Sequence, residues 1–220
     1  MRNTIADNLL LIKEKIAPYK PNIIAVTKYY DKTAIEEAFA CGISCFAESR
    51  ANEGSKKLDM LCKECRDASK FHFIGHVQSN KARRIVKYFD CIHSVDSLRI
   101  AQLISECAIE QGKVQDVLLQ LNNAGEETKF GYSKEGLLKD FEQILDLKGI
   151  RVLGIMNMAP LNAEELELEN LFEDVRCFKE ELNERFGCEL RELSMGMSND
   201  YHIAVRHGAT MIRVGRKLFS

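Results

Sequence analysis

The segment IIAVTKYY, residues 23–30, places a lysine at the end of an apolar run of β-favouring residues. An ammonium group is costly to remove from water, so a lysine in this position either extends to solvent or serves a ligand. The chemical alternative for Lys28 is a Schiff base with an aldehyde, which requires an amine that can lose its proton. Partial burial or a nearby cation would lower the pKa of a lysine from about 10.4 and favour that reaction.

Two segments near the end of the chain have the composition of an anion site, namely SMGMSND and RVGRK. Small residues allow a ligand to approach the backbone closely, and Ser198 or Asn199 could cap a following helix whose N–H groups would face an anion. Arg213 and Arg216 add positive charge, while Gly215 lets the chain turn sharply. The alternative is that SMGMS forms only a tight loop.

The composition limits the classes of protein to consider. Of the 220 residues 45% are hydrophobic and 29% are charged, and the net charge of -2 gives no basic field for nucleic acid. No apolar run approaches the roughly 18 residues of a membrane-spanning helix. Charged residues interrupt the N-terminal segment, so we expect no signal peptide and a cytoplasmic protein. Its eight cysteines are then expected to be reduced thiols, and the single CKEC motif to be structural.

Eight short β-type runs alternate with amphipathic segments along the chain. Their expected ends, each separated from the next by one helix and two loops, are Lys28, Ser49, Gly75, Asp96, Asn122, Asn157, Ser194 and Val214. Strict alternation over eight units predicts a closed (β/α)8 barrel of the TIM type rather than an open nucleotide-binding sheet, because no glycine-rich turn follows the first strand. We expect a single domain over residues 1–220, with an extra N-terminal helix on the barrel floor or side.

In such a barrel the functional groups lie at the C-terminal ends of the strands. Lys28 ends the first strand, and the two anion-binding segments follow the seventh and eighth, where this fold most often binds phosphate. An amine and an anion site on one face suit a ligand that carries both an aldehyde and a phosphate. Pyridoxal 5′-phosphate (PLP) is such a ligand.

Two further features are weaker candidates. His72 and His76 have a spacing that suits metal on a helix, but in a strand they would lie about 13 Å apart, so we expect no metal site. Lys129 is a second amine in a glycine-containing loop, and no apolar strand leads into it.

The chain resembles the YggS/PROSC family of pyridoxal phosphate homeostasis proteins, whose barrel is similar to the N-terminal domain of alanine racemase. The resemblance runs from about Ile23 to Phe219. It rests on the segments AVTK, HFIGHVQSNKAR, HSVDS, NNAGEETKFG, GIMNMAP, LSMGMSNDYHIAVRHGAT and IRVG, which occur in the order found in the family.

The resemblance implies a role for each candidate. Lys28 would form the Schiff base with PLP, Ser198 and the backbone of Gly215 and Arg216 would hold the phosphate, and Arg213 would face the pyridine nitrogen. Further positions that line the family's pocket are Met195, Met156 and His72. Two departures are present: FAES replaces the family's Phe-Gly-Glu-Asn, so that Ser49 offers a shorter hydrogen-bonding group to the ligand, and Arg216 stands where a threonine is common.

The resemblance implies a carrier or reservoir of PLP without a dedicated catalytic activity, with PLP-dependent apo-enzymes as recipients. The alternative is a small racemase-like PLP enzyme, but alanine racemases draw a second acid/base group from a further domain and a neighbouring subunit, and this chain ends at Ser220. A guanidinium at the pyridine nitrogen would also weaken the ring as an electron sink. In a third interpretation, the barrel binds phosphate without PLP and Lys28 is an electrostatic clamp. We expect a monomer.

Overall fold

The computed structural model describes residues 4–124, 130–160 and 162–220. In these residues, eight parallel strands close into one barrel in the order β1 to β8. The strands are Asn22–Val26 (β1), Cys45–Glu48 (β2), Lys70–Phe73 (β3), Cys91–Val95 (β4), Gln115–Leu121 (β5), Ile150–Asn157 (β6), Glu192–Ser194 (β7) and Met211–Val214 (β8). The predicted TIM-type barrel is confirmed.

The α-helices lie between the strands and at the two ends of the described chain. They are Ile5–Ile16 (α1), Lys32–Ala40 (α2), Ala51–Asp59 (α3), Lys63–Ala68 (α4), Ala82–Tyr88 (α5), Leu98–Glu110 (α6), Lys134–Leu145 (α7), Glu165–Phe186 (α8), Tyr201–Ala204 (α9) and Arg216–Phe219 (α10). Short 3-10 turns at Ser79–Lys81 and Val205–His207 adjoin α5 and α9.

Local signals in the sequence explain where several helices begin and end. The side chains of Asp31, Ser97 and Ser133 each accept a hydrogen bond from a backbone N–H in the first turn of α2, α6 and α7. Gly187 ends α8 in the left-handed conformation, with φ of 61°. Along α6 the buried residues recur at helical spacing, so one face packs on the barrel.

Helix α1 is the predicted extra helix, and it covers the side of the barrel next to α10. Leu9, Ile12 and Ile16 are buried along one of its faces. The Asn8 amide donates hydrogen bonds to the carbonyl oxygens of Leu218 (3.1 Å) and Ser220 (3.2 Å). These contacts attach α1 to the segment that follows β8, close to the expected functional face.

The strands are buried on both faces. A large apolar core lies between the strands and the surrounding helices and includes Phe46, Phe141 and Phe172. A smaller apolar cluster fills the barrel interior, where Ile24 and Leu118 are among its fully buried members. Burial of both faces accounts for the nearly continuous apolar runs that identified the strands in the sequence.

None of the helices in the described parts of the chain has the length and hydropathy needed to cross a bilayer. All eight cysteines are free, as expected, and the two in CKEC differ in environment: Cys62 is exposed, whereas Cys65 is buried in α4.

Candidate functional site

A cavity of about 540 Å³ opens at the C-terminal ends of the strands, a volume typical of sites for small ligands. It is lined by six of the seven predicted site residues, which are Lys28, Ser49, Ser198, Arg213, Gly215 and Arg216. Its other lining residues are Val26, Tyr29, Tyr30, Ile74, Met156, Met158, Pro160, Met197, Asn199 and Asp200. The barrel thus brings together the predicted amine and the predicted anion-binding segments.

Lys28 is half-buried just after β1. Its Nζ lies 5.2 Å from the ring centroid of Tyr29. Among the described residues no carboxylate or hydrogen-bond acceptor pairs with this amine, in contrast to the buried Lys57 nearby. An amine without a partner at the wall of a ligand-sized cavity is available to react with an aldehyde.

A buried ion pair fixes the backbone that carries Lys28. The Glu48 carboxylate, at the end of β2, accepts hydrogen bonds from the Thr27 hydroxyl (2.7 Å) and from Lys57 Nζ (2.5 Å). Lys57 also donates to the Thr27 carbonyl oxygen at 2.8 Å. These three side chains are buried, so the residue before Lys28 is held from two sides.

The loop after β7 depends on a glycine and a buried acid. Gly196 has φ of 87°, and a Cβ there would lie 2.7 Å from the Cβ of Ala204, so a side chain at this position would be strained. The Asp200 carboxylate accepts a hydrogen bond from the Met197 N–H at 2.5 Å. This turn presents Ser198, which is largely buried, to the cavity.

The predicted capping of the next helix by Ser198 or Asn199 is wrong. The residue that precedes α9 is Asp200, and its carboxylate bonds backward to Met197 rather than forward into the helix. Burial raises the pKa of Asp200, and the hydrogen bond from the Met197 N–H opposes that rise. The helix itself, Tyr201–Ala204, has only four residues.

The segment after β8 supplies the wall between the loop after β7 and the end of β1. Gly215 approaches β1 closely, since a Cβ on it would lie 3.3 Å from the Val26 carbonyl oxygen. Arg216 follows it at the start of the four-residue helix α10 and is exposed to solvent. Gly215 and Arg216 therefore bring backbone N–H groups and one exposed cation to the same rim.

Arg213 is buried below this rim and is held by oxygens that carry no charge. Its Nη1 donates to the backbone oxygen and the hydroxyl of Ser194, both at 2.7 Å, and its Nη2 donates to the Asn157 backbone oxygen at 2.7 Å. Burial lowers the pKa of the Arg213 guanidinium to about 10, and Asp200 opposes this shift. The group remains a cation and a pure donor at neutral pH.

Two of the pocket positions named from the sequence, Met195 and His72, do not line the cavity. Met195 is fully buried in the outer core, and His72 lies inside the barrel beneath the cavity, whereas Met156 does line it. Lys129 lies outside the described residues.

The structure adds functional candidates that the sequence analysis missed. Asp200 lines the cavity, and Lys57 pairs with Glu48 beneath it. Lys57 was missed because a lysine in the middle of a polar helix carries no sequence signal of burial. His93 lies inside the barrel, two residues after Cys91 on β4. Alternation along a strand could have placed it inward, but not beside His72.

The metal expectation concerned His72 with His76, and the structure instead groups His72 with Cys91 and His93. Their potential ligand atoms lie within 4.8 Å of one another. His72 Nδ1 and His93 Nε2 are hydrogen-bonded to each other at 2.8 Å, and burial raises the pKa of the Cys91 thiol. These groups are therefore already engaged with one another or held in an unreactive form.

Comparison with known proteins identifies relatives across nearly the whole chain. Residues 2–220 match the family model described as alanine racemase, N-terminal domain. A pyridoxal phosphate homeostasis protein of Synechocystis sp. is 40% identical over 208 residues, 94% of each chain. PipY of Synechococcus elongatus, solved with PLP bound, is 36% identical, with a TM-score of 0.89 over 99% of this chain and 100% of that one.

A more distant structure, alanine racemase of Clostridium difficile, is 17% identical, with a TM-score of 0.80 over 98% of this chain and 56% of that one. This likeness shows a shared fold alone. The family model and the relatives that match over nearly their full length are more informative. The chain belongs to the alanine racemase N-terminal domain family and, within it, to the pyridoxal phosphate homeostasis proteins.

Proposed function

We propose that this protein binds PLP in the cavity at the barrel mouth, through a covalent bond to Lys28, and acts as an intracellular carrier or reservoir of the cofactor. The observation that carries this proposal is the unpaired amine of Lys28 on the wall of a cavity that also contains Ser198, Arg213 and Gly215. The PLP bound to PipY, a structure that matches 99% of this chain, supports it.

Each residue has a defined part in this proposal. The Lys28 amine would attack the aldehyde carbon and form a C=N bond with loss of water. The Ser198 hydroxyl and the backbone N–H groups of Gly215 and Arg216 would hold the phosphate. Arg213 would donate to the pyridine nitrogen, and Ser49 would contribute a hydroxyl at the rim.

The electrostatics of Arg213 favour a carrier over a racemase-like enzyme. PLP supplies an electron sink when its ring nitrogen is protonated, and a guanidinium that donates to that nitrogen opposes protonation. In the described chain Arg213 donates only to uncharged oxygens, and Asp200, the carboxylate whose charge acts on it, is not one of its hydrogen-bond partners. The site would therefore retain PLP without strongly activating an amino acid.

Absorption spectroscopy tests the binding mode. Protein reconstituted with PLP should show a near-visible band, and borohydride should leave a stable adduct on Lys28 that mass spectrometry detects. Lys28→Ala should lose both, whereas the matched control Lys32→Ala, which removes an exposed lysine of α2, should retain both. A wild-type protein that binds phosphate but forms no adduct would instead support an electrostatic role for Lys28.

Deuterium exchange separates the carrier from the enzyme. The PLP-loaded protein would be incubated with single enantiomers of amino acids in deuterated water, and exchange at Cα would be followed by NMR. We expect exchange to remain near the rate of free PLP. Exchange at an enzyme-like rate, lost in Lys28→Ala, would establish the racemase-like alternative.

The carrier role further requires that PLP leaves for a recipient. A PLP-dependent apo-enzyme mixed with the loaded protein should regain activity, and the near-visible band should change as PLP is transferred. Phosphate-free pyridoxal offered in the same way is the control for simple release of an aldehyde. Failure of a stoichiometric amount of the loaded protein to activate any apo-enzyme would argue for storage without delivery.

A further inference from the structure

Four inward-facing side chains form one hydrogen-bonded row through the barrel. Arg213 Nη1 lies 2.7 Å from Ser194 Oγ, Ser194 Oγ lies 2.9 Å from His93 Nδ1, and His93 Nε2 lies 2.8 Å from His72 Nδ1. The four residues come from β8, β7, β4 and β3 and are at most 7% exposed. The row runs from the floor side of the barrel to the base of the cavity.

The chemistry of the groups favours one direction for these hydrogen bonds. A guanidinium only donates, so Ser194 Oγ accepts from Arg213. Within the described chain the remaining neighbour of that hydroxyl is His93 Nδ1, so the Ser194 O–H finds a partner only if it donates to that atom. His93 must then carry its proton on Nε2 and donate to His72 Nδ1, which leaves the proton of His72 on its own Nε2.

Both histidines are neutral when the row has this direction. Burial lowers the pKa of His72 to about 4, and burial together with His72 and Arg213 holds the pKa of His93 well below its usual value. The charged groups that act on His72 lie at the barrel floor: Asp90, Lys70 and Asp116. A protonated His93 would have no lone pair for the Ser194 hydroxyl and would place a second cation near Arg213.

We propose that His93, supported by His72, is a positioning residue for Arg213. By accepting the Ser194 proton, His93 turns the Ser194 oxygen toward the guanidinium. The guanidinium is thereby held with its Nε and its second Nη2 hydrogen unused by any partner in the described residues. This inference rests on the proposed function, in which the unused donors face the pyridine nitrogen of PLP. It states that residues which do not touch the ligand, His93 and His72, determine the orientation of Arg213.

The first test uses the protein without PLP. The protein is prepared with 15N-labelled histidines. Two-bond 1H–15N correlation spectra at neutral pH then distinguish the two neutral tautomers of each imidazole from its cation. We expect His72 and His93 both to be neutral with the proton on Nε2, assigned by comparison with single histidine variants. A protonated or Nδ1–H form of His93 would overturn the inference whether or not PLP binds.

The second test compares variants at His93 in the loaded protein. The oxygen of Asn can replace Nδ1 as the acceptor of the Ser194 proton, whereas Leu fills similar space and accepts nothing. We expect His93→Leu to weaken PLP binding about tenfold and to shift the 15N resonance of ring-labelled PLP, and His93→Asn to restore both largely to the wild-type values. A role in packing alone would lower thermal stability in both variants and leave the ring resonance unmoved.

Ser194→Ala provides a second variant in case His93→Leu does not fold. It removes the hydroxyl that links His93 to Arg213 and should reproduce the tenfold loss and the shifted resonance. Wild-type affinity and resonance in Ser194→Ala, in a protein whose adduct forms on Lys28, would overturn the positioning inference alone. A wild-type protein that binds no PLP would overturn the proposed function, and the tautomer measurement would still decide the direction of the row.

Discussion

The two cations beneath the cavity mouth differ in what surrounds them. Lys28 is half-buried and has no polar partner in the described residues, whereas Arg213 is buried and makes three hydrogen bonds. Lysine keeps a flexible stem and an amine that can be deprotonated, while arginine stays charged and presents a planar set of donors. The amine is therefore suited to covalent chemistry, and the guanidinium to fixed orientation.

The exposed Arg216 gives the rim a charge that should appear in the salt dependence of binding. Arg216→Thr removes the cation and retains the backbone N–H, so we expect PLP affinity to fall about two- to fivefold at low salt and the difference to vanish at high salt. Titration of both proteins with PLP at several salt concentrations measures this difference in affinity. Lys217→Thr, the exposed neighbour that does not line this cavity, is the matched control. Equal losses in both variants would indicate a general electrostatic effect.

Protonation of His72 should make stability depend on pH. Because its pKa falls from 6.5 to about 4 on folding, the unfolded chain binds a proton below pH 6.5 that the folded chain excludes until about pH 4. The free energy of unfolding should therefore fall as the pH falls across this window, by about 3 kcal/mol for this residue. Urea unfolding at several pH values measures this for the wild type and for His72→Asn, whose oxygen can still accept from His93. The free energy of unfolding should depend less steeply on pH in the variant. Identical slopes would contradict this prediction.

At the scale of elements, the ends of β1 and β2 depend on one buried ion pair. Lys57→Met should leave the Glu48 carboxylate buried with only the Thr27 hydroxyl, and we expect a loss of about 3–5 kcal/mol in the free energy of unfolding. The double change Glu48→Gln with Lys57→Met removes both charges and should recover much of this loss. Urea denaturation measures both, with Lys56→Met on the exposed face of α3 as the control. A double variant no more stable than the single one would show that lost packing, rather than the unpaired charge, dominates.

Most elements of the barrel could be predicted because each strand has the same local signature. The expected end at Lys28 lies two residues beyond β1, and the expected ends at Asn157, Ser194 and Val214 coincide with those of β6, β7 and β8. Buried parallel strands appear as apolar runs of limited length, and capping residues mark the helices between them. The α3–α4 break was not anticipated, since the charged segment from Ser55 onward reads as one helix.

The site was only partly predictable, for a physical reason. Residues at strand ends converge by topology, which is why Lys28 and Arg213 could be brought together from their order in the sequence. Contacts between inward-facing residues depend on barrel register, which pairs His72 with Cys91 and so brings His93 above it. Backbone strain and hydrogen bonding decide the rest: Asp200 bonds back to Met197, although Ser198 and Asn199 have equally good capping side chains.

At the scale of the whole molecule, neighbouring strands of the barrel differ in how many residues they pair. Within the described residues, β7 and β8 share a single register pair, Ser194 with Met211, whereas β5 and β6 share seven. The Thr210 hydroxyl accepts from the Leu193 N–H at 2.8 Å and so supplements the short ladder. Three backbone hydrogen bonds, from the N–H groups of Thr210, Met195 and Arg213, also join the two segments. The strand pair with the fewest register pairs, β7 and β8, therefore carries the expected phosphate and ring-nitrogen contacts, and ligand binding should stabilise it most.

Hydrogen exchange measured by mass spectrometry tests this coupling. Without PLP, amides of Glu192–Ser194 and Met211–Val214 should exchange faster than those of Gln115–Leu121 and Ile150–Asn157, because local opening costs less where two strands share fewer register pairs. At a PLP concentration about a hundred times its Kd, openings that release PLP should become roughly a hundredfold rarer. Lys28→Ala should lose most of this protection while keeping the difference between the two pairs of strands. Protection gained uniformly around the barrel would mean that PLP stabilises the fold as a whole. Strands β7 and β8 would then have no separate role in holding PLP.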